Sequence, residues 1–415
     1  MKIMKTMGDI LRTFKVTYIQ TFHPPAHHLK VIDAICNCRT SILGGHAKVC
    51  ASCGGIHIYY NSCGNRHCPQ CQAFEKEKWV EARKQELLPV PYLHLVFTLP
   101  HELNPLVLSN DRLMYHLLFK AVWQTIQQIA HDKKWLGAQT GMIAVLHTWG
   151  SNLSLHPHLH CVIPCGGINE TQDEWVATRK PRFLAPNKKV MAPIFRGIFL
   201  KLLRQAFEQD QLHFFGQAAI YQDLQELKKL WRKLQYKNWN VYAKQPFGGP
   251  AQILNYLSRY THRIAISNHR IVSVHNNQVT FSYKNYKKTN DKGLAPIEKM
   301  TLTVMEFIRR FLLHVLPRGF QRIRYFGILA IRNRKLKLKN LQQILNFQPP
   351  PVSPLHWKER LEHLTGKHPD DCPFCGQRTL ELLGNLVQTS PNWGRSPPTI
   401  LEIITPRGQL IPIGT

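Results

Sequence analysis

Two histidines separated by a single leucine, His158 and His160, stand in the run Leu155-His156-Pro157-His158-Leu159-His160-Cys161-Val162-Ile163-Pro164. The alternation of this run reads as a strand. In an extended chain, alternate side chains share a face, so His158 and His160 point one way and Leu159 and Cys161 the other. Their Cα atoms are then roughly 7 Å apart, within reach of one divalent ion for two imidazoles. Tyr256 and Tyr260 are four apart in a segment that reads as a helix, which puts both phenols on one side. A metal clamp and a phenol nucleophile are the minimum kit for cutting a phosphodiester through a covalent protein–nucleic-acid link.

Each feature also has a plainer explanation. A lone His-x-His is as readily a pair of packed histidines, and a catalytic ion needs a third ligand. His156 lies four positions from His160, roughly 13 Å along an extended chain, which makes it a poor shared ligand. His147, on a neighbouring strand, is the preferred third ligand, subject to a register that the sequence does not fix. Tyrosines at i and i+4 often pack into a core. Here, however, the surroundings are cationic: Asn255-Tyr256-Leu257-Ser258-Arg259-Tyr260-Thr261-His262-Arg263. Arg259, Arg263 and His262 are suited to holding a phosphate and favouring a tyrosinate.

Cysteines carry a third signal. Cys50-x2-Cys53 and Cys68-x2-Cys71 are separated by fourteen residues. That is zinc-ribbon spacing, each pair giving two thiolates to one tetrahedral structural ion. Cys38, His46, Cys63 and His67 lie nearby and form a candidate second zinc site. His368, Cys372 and Cys375 resemble part of a C-terminal site, with His363 as a further candidate ligand. A closed four-ligand site leaves no position open for chemistry. Its zinc would build fold in a segment too short to bury a core.

The elements that position these groups follow from the pattern. Residues 1–45 read as helical, with apolar residues at helix spacing and a break at Pro24-Pro25. Residues 92–99 read as a buried strand and 105–133 as helical. Residues 142–148 are a second strand, joined by a short polar loop to the histidine strand. Residues 190–208 and 220–236 read as helices. Gly248-Gly249-Pro250 opens the tyrosine helix. Residues 270–286 read as a hairpin around Asn276-Asn277. Residues 301–340 hold ten Lys or Arg and one acid, Glu306. Pro349-Pro350-Pro351 reads as a linker before a Cys-containing tail. The division is therefore 1–88 for N-terminal helices and zinc module and 89–300 for a nuclease-like core. Residues 301–348 read as a basic helical extension, suited to DNA if the family resemblance given below holds, and 349–415 as a linker and tail.

Composition points to the same substrate. The chain has 54 Lys plus Arg against 25 Asp plus Glu, a formal charge of +29. Such an excess repels itself without a polyanion partner, and nucleic acid is the first candidate. A hydrophobic fraction of 44% is too high for a basic disordered tail. No stretch of eighteen apolar residues exists, so no membrane partner is expected. No signal peptide is read at the N-terminus, and a cytoplasmic, nucleoid-associated location is expected. Eleven cysteines in such a chain suggest metal ligation rather than disulfides.

With these residues in place, the chain resembles the rolling-circle transposases of the insertion-sequence-91 type, in the HUH endonuclease superfamily. That superfamily's motif is two metal-binding histidines flanking a bulky apolar residue, matched by His158-Leu159-His160. The paired-tyrosine motif matches Tyr256-Leu257-Ser258-Arg259-Tyr260-Thr261-His262-Arg263. The zinc module matches Cys38-Arg39-Thr40, Gly44-Gly45-His46, Cys50 to Cys53 and Asn61-Ser62-Cys63 through Cys71-Gln72. Arg309-Arg310-Phe311 and the stretch from His314 to Phe320 also fit the family. Cys165 departs from it, standing where a glycine is usual. The resemblance implies an α+β (α/β sandwich) core with a central antiparallel sheet carrying the histidines. It implies Mg2+ or Mn2+ at those histidines and structural Zn2+ at the cysteines. Tyr256 or Tyr260 would form a 5′-phosphotyrosine on single-stranded or melted DNA and release a 3′-hydroxyl. The basic segment and the zinc module would grip phosphates, and Phe320, Tyr325 and Phe326 would either stack on bases or pack in the core. Three alternatives remain open: a plasmid-type replication initiator or relaxase, a non-catalytic zinc-ribbon regulator, and a zinc hydrolase.

Overall fold

The computed structural model describes residues 6–84, 86–178, 188–247, 252, 263–290, 293–332, 334–349, 356–388, 401–406 and 409–412. They build a mixed α+β protein whose sheets are antiparallel. The chain forms two compact units, each assembled from separated stretches. One comprises Trp79–Thr261 and Leu316–Val352. The other comprises Met1–Lys78, His262–Val315 and Ser353–Thr415. This grouping is discontinuous along the chain, whereas the four-segment reading of the sequence is linear.

The first unit is organised by a five-stranded sheet. Its strands run, edge to edge, Ile323–Gly327, Gly141–Trp149, Leu155–Pro164, Tyr92–Thr98 and Asn240–Phe247. Alternation sorts their side chains onto two faces. Leu93, Leu95, Phe97, Ala144, Leu146, Leu159 and Cys161 join a large core with Phe119 and Val122 of the helix Asp111–His131 and with Phe195 and Phe199 of Lys188–Glu208. The opposite face places Tyr92, Ile143 and Val162 in a smaller core with Val80, Leu338 and Leu341. By the same alternation, His94, His147, His158 and His160 belong to this second face.

Within residues 301–348, read from the sequence as a basic helical extension, the structure also holds the edge strand Ile323–Gly327. It pairs with the second strand from Ile323 opposite Val145 to Gly327 opposite Gly141. Its Ile, Tyr and Phe are strand formers, and a cation such as Arg324 is well tolerated at a sheet edge. Helices do flank it, at Val304–Leu312 in the other unit's stretch and at Arg334–Ile344.

The second unit begins with two helices, Met7–Phe22 and Ala26–Asn37, interrupted at the proline pair as the sequence implies. Thr6 caps the first through its hydroxyl, which accepts from the Asp9 amide at 3.1 Å. A five-stranded sheet then draws on both ends of the chain: Gly45–Cys50 pairs with Ile56–Tyr60 on one side and with Leu380–Gln388 on the other. The tail is therefore part of the zinc module's sheet. A third sheet holds Ile271–His275, Gln278–Lys284 and Ile297–Thr303. Its hairpin turns at Asn276 and Asn277, whose φ values of 48° and 55° are those of a left-handed turn that asparagine tolerates.

The large core is where stability of the first unit concentrates. Phe199 is fully buried, with its ring centroid 5.4 Å from that of Trp239. Phe199→Ala should cost about 3–5 kcal/mol, read as a lower urea midpoint with unchanged slope.

Candidate metal centres

The histidine centre is built by one hairpin. In the pairing of Gly141–Trp149 with Leu155–Pro164, His147 stands opposite His158 and Val145 opposite His160. The three imidazoles converge, with one ring nitrogen from each lying within 4.8 Å of the others. His147 and His160 are buried, while His158 is partly open. The loop between the strands is short and self-bonded: the Gly150 amide donates to the Ser154 carbonyl at 2.8 Å, and Asn152 Oδ1 accepts from the Ser154 hydroxyl at 2.7 Å.

Second contacts set the ring orientations. His158 Nδ1 lies 2.7 Å from the His156 carbonyl. A carbonyl only accepts, so Nδ1 carries the proton and Nε2 keeps its lone pair for a ligand. Trp149 stacks on His147 at 4.6 Å with an interplanar angle of 18°. His160 meets a fourth histidine, His94, through its Nδ1. The donor set of three imidazole nitrogens therefore fits a divalent transition ion, Mn2+ among them. His147 was legible as a candidate only through strand adjacency. His156 is not in the group; its role is to supply the carbonyl that orients His158.

The tyrosine prediction falls outside the described residues, as do Arg259 and His262, which flank Tyr256 and Tyr260. Arg263 is described and exposed.

The cysteines sort differently from their order in the sequence. Cys50 and Cys53 do not join Cys68 and Cys71. One group is Cys38, Cys63, Cys68 and Cys71; the other is Cys50, Cys53, Cys372 and Cys375. Within the first, sulfurs stand 3.5 Å apart for Cys38 and Cys71 and 3.6 Å for Cys63 and Cys71. Within the second they stand 3.6 Å apart for Cys50 and Cys375 and 3.8 Å for Cys53 and Cys372. Four sulfurs about 2.3 Å from a tetrahedral zinc are about 3.8 Å from one another, so both groups fit that ion. In each, one thiol is drawn toward the thiolate. Hydrogen bonds from Cys63 and Cys68 pull Cys71 strongly down. The Thr379 hydroxyl, with the Cys53 and Ser52 amides, brings Cys50 to about 6.

The histidines proposed for these sites are elsewhere. His46 stacks on Tyr59 at 5.4 Å, and His67 accepts from Arg66 Nε at 3.3 Å. His368 Nδ1 accepts the Asp370 amide at 3.2 Å, and His363 is an exposed helical residue. The physical reason is the sheet. Pairing of Gly45–Cys50 with Leu380–Gln388 brings the two Cys-x2-Cys-Gly turns together. These turns match: the Gly54 amide donates to the Cys50 carbonyl and the Gly376 amide to the Cys372 carbonyl, both at 2.8 Å. Gly54 and Gly376 have φ of 69° and 76°, which favours glycine. The shared Cys-x2-Cys-Gly pattern, absent at Cys71-Gln72, is the sequence signal that would have paired them. Lys48 adds a buried tie, donating to Asp370 at 2.6 Å and to the Pro369 carbonyl at 3.0 Å.

Of the aromatics offered for base stacking, Phe320 is buried beside Tyr115, Phe326 stacks on Trp123 at 5.4 Å, and the Tyr325 hydroxyl accepts from Arg83 at 2.7 Å. They pack in the protein. Arg309 and Arg310 are both held by Glu306, at 2.6 Å and 2.7 Å. Arg309 first, then Arg310, hold that carboxyl down at about 2.

Comparison with known proteins places the chain among transposases. A family model described as "Putative transposase" matches residues 141–337, and one described as "Transposase zinc-binding domain" matches residues 10–99. The chain is 42% identical over 398 residues to "Putative transposase y4qJ" of Sinorhizobium fredii, covering 94% of this chain and 98% of that one. It is 26% identical over 373 residues to the "Transposase for insertion sequence element IS801" of Pseudomonas savastanoi pv. phaseolicola, covering 87% of this chain and 85% of that one. No solved structure matches the chain. Among the described residues, no helix is long and apolar enough to cross a membrane.

The two tetrads make a countable prediction. Elemental analysis of the purified protein should find one zinc for each of the two cysteine groups. Replacing Cys372 and Cys375 together by Ser should remove one equivalent and leave the other; retention of both equivalents would refute the shared site.

Proposed function

Because the chain belongs to the IS91-type transposases, we propose that it nicks single-stranded DNA at the ends of its element and transfers the strand through a covalent tyrosine link. The observation that carries this reading is the convergence of His147, His158 and His160 on one face of a rigid sheet. A constellation built on paired strands holds its geometry better than one built on loops.

The roles of the chain's residues follow. His147, His158 and His160 would hold Mg2+ or Mn2+, which supplies charge to polarise the scissile phosphate. Tyr256 or Tyr260 attacks phosphorus, forming the tyrosyl O–P bond as the P–O3′ bond breaks. The phenol loses its proton, and the leaving 3′-oxygen ends as a hydroxyl. The 5′-phosphate then remains on the protein and keeps the energy of the phosphodiester, so rejoining needs no nucleotide cofactor. Two tyrosines would allow donor and target strands to be held in turn. Arg259, Arg263 and His262 lie beside them in sequence and are suited to the phosphate. The excess of cations over acids supports DNA as the partner throughout.

The test uses end-labelled single-stranded DNA from the element's termini, Mg2+ and the full chain, resolved on denaturing gels. A label shifted to protein size is expected, and the double variant Tyr256→Phe, Tyr260→Phe should abolish it. Cleavage that is metal-dependent but leaves no protein-bound label would point to a hydrolase. Neither cleavage nor protein-bound label in the parent, with DNA binding equal in parent and double variant, would leave only a zinc-bearing DNA binder. A preference for plasmid origins over element ends would favour a replication initiator or relaxase.

A further inference from the structure

His94 stands outside the three converging histidines but touches them. It lies on Tyr92–Thr98, the strand on the other side of the histidine strand. There Val96 is opposite His160 and His94 opposite Val162, so His94 is the diagonal neighbour of His160 on the same face. Its Nε2 is 3.1 Å from His160 Nδ1, and the two rings are nearly parallel, 11° apart with centroids at 5.3 Å. Both side chains are buried, at 2% and 8% exposure.

The chemistry of imidazole fixes what this contact does. A neutral imidazole has one N–H and one lone pair. His160 gives Nδ1 to His94, which leaves Nε2 as its nitrogen for the centre. A nitrogen that ligates must offer its lone pair, so the proton of His160 sits on Nδ1 and is donated to His94 Nε2. We infer that His94 is a positioning residue: by accepting from His160 Nδ1–H it fixes the tautomer and ring angle that turn Nε2 toward His147 and His158. The inference rests on the reading of the triad as a metal site. His94 is not itself a ligand of that site: among the described residues, the converging group is His147, His158 and His160. The arrangement repeats what the His156 carbonyl does for His158. Two of the three ring orientations are thus set by acceptors on the same sheet.

Two variants separate the hydrogen bond from the packing. His94→Phe keeps a ring to stack on His160 and removes the acceptor. His94→Gln removes the ring and restores an oxygen acceptor. Mn2+ binding to the full chain is followed by loss of the free-ion electron paramagnetic resonance signal, with zinc content and metal-free thermal midpoint confirming the fold. His94→Phe should weaken Mn2+ binding roughly 10–100-fold, and His94→Gln should regain most of that loss. Equal Mn2+ affinity in His94→Phe and the parent would overturn the role. So would equal weakness of both variants, which would assign His94 to packing alone. If the parent binds no Mn2+, or binds it undiminished after His158→Ala with His160→Ala, the metal reading itself falls and the positioning role with it.

Discussion

One pairing register, His147 opposite His158, governs what the central sheet is able to do. Side chains on a strand alternate, so a slip of one residue would exchange the two faces entirely. The histidines would then enter the large core, and Leu146, Leu159 and Cys161 would leave it. The register is fixed by those same apolar residues, which are fully buried among Phe119, Phe195 and Phe199. At about 1.5–3 kcal/mol for each large side chain removed from water, the far face of the sheet enforces the geometry of the near one. The chemistry and the core are thus two sides of one constraint, and neither can drift without the other.

What was legible in the sequence follows from how local each feature is. His158 and His160 share a face because of a two-residue period, which needs no partner to be read. The Asn276-Asn277 hairpin was legible for a similar reason, since few residues accept left-handed dihedrals. His147 required the register of a second strand, and His94 required that of a third; neither is written in any local spacing. The strand Ile323–Gly327 was hidden by its setting. A run dense in Lys and Arg reads as a solvated helix, although the alternation Ile323, Tyr325 against Arg324 is that of an edge strand. The two-unit grouping was illegible because contacts, not composition, define it.

The cysteines show the limit of spacing arguments from the opposite side. Two Cys-x2-Cys pairs fourteen residues apart meet every local requirement of one zinc ribbon. The fold nonetheless divides them, because the Gly45–Cys50 strand pairs with Leu380–Gln388 and delivers a matching turn from the far end of the chain. Among the described residues, apolar burial around that sheet is slight: one cluster has Ala47, Leu386 and Ile403, and another has Cys50, Cys372 and Leu380. Metal–thiolate bonds are well suited to such a place, because binding energy there becomes folding energy. Closing a chain segment from Cys53 to Cys372 costs entropy only as the logarithm of its length, so distance along the sequence is a weak barrier to this pairing.

Charge ties the two kinds of site together. Acids are scarce in this chain, and several of those present hold more than one cation. Glu306 takes Arg309 and Arg310, Glu102 takes Lys237 and Lys233, and Asp370 takes Lys48 and Lys358. Their carboxylates are therefore engaged within the fold, while 54 cations face 25 acids overall. The histidine centre follows the same economy: among the described residues, its converging group contains no carboxylate. Three neutral imidazoles would leave the full charge of a divalent ion directed at its substrate, whereas carboxylate ligands would cancel part of it. A surface rich in unmatched cations collects a polyanion at long range. With an ion in place, a neutral ligand set would concentrate positive charge at one phosphate, the charge distribution that the proposed phosphodiester chemistry requires.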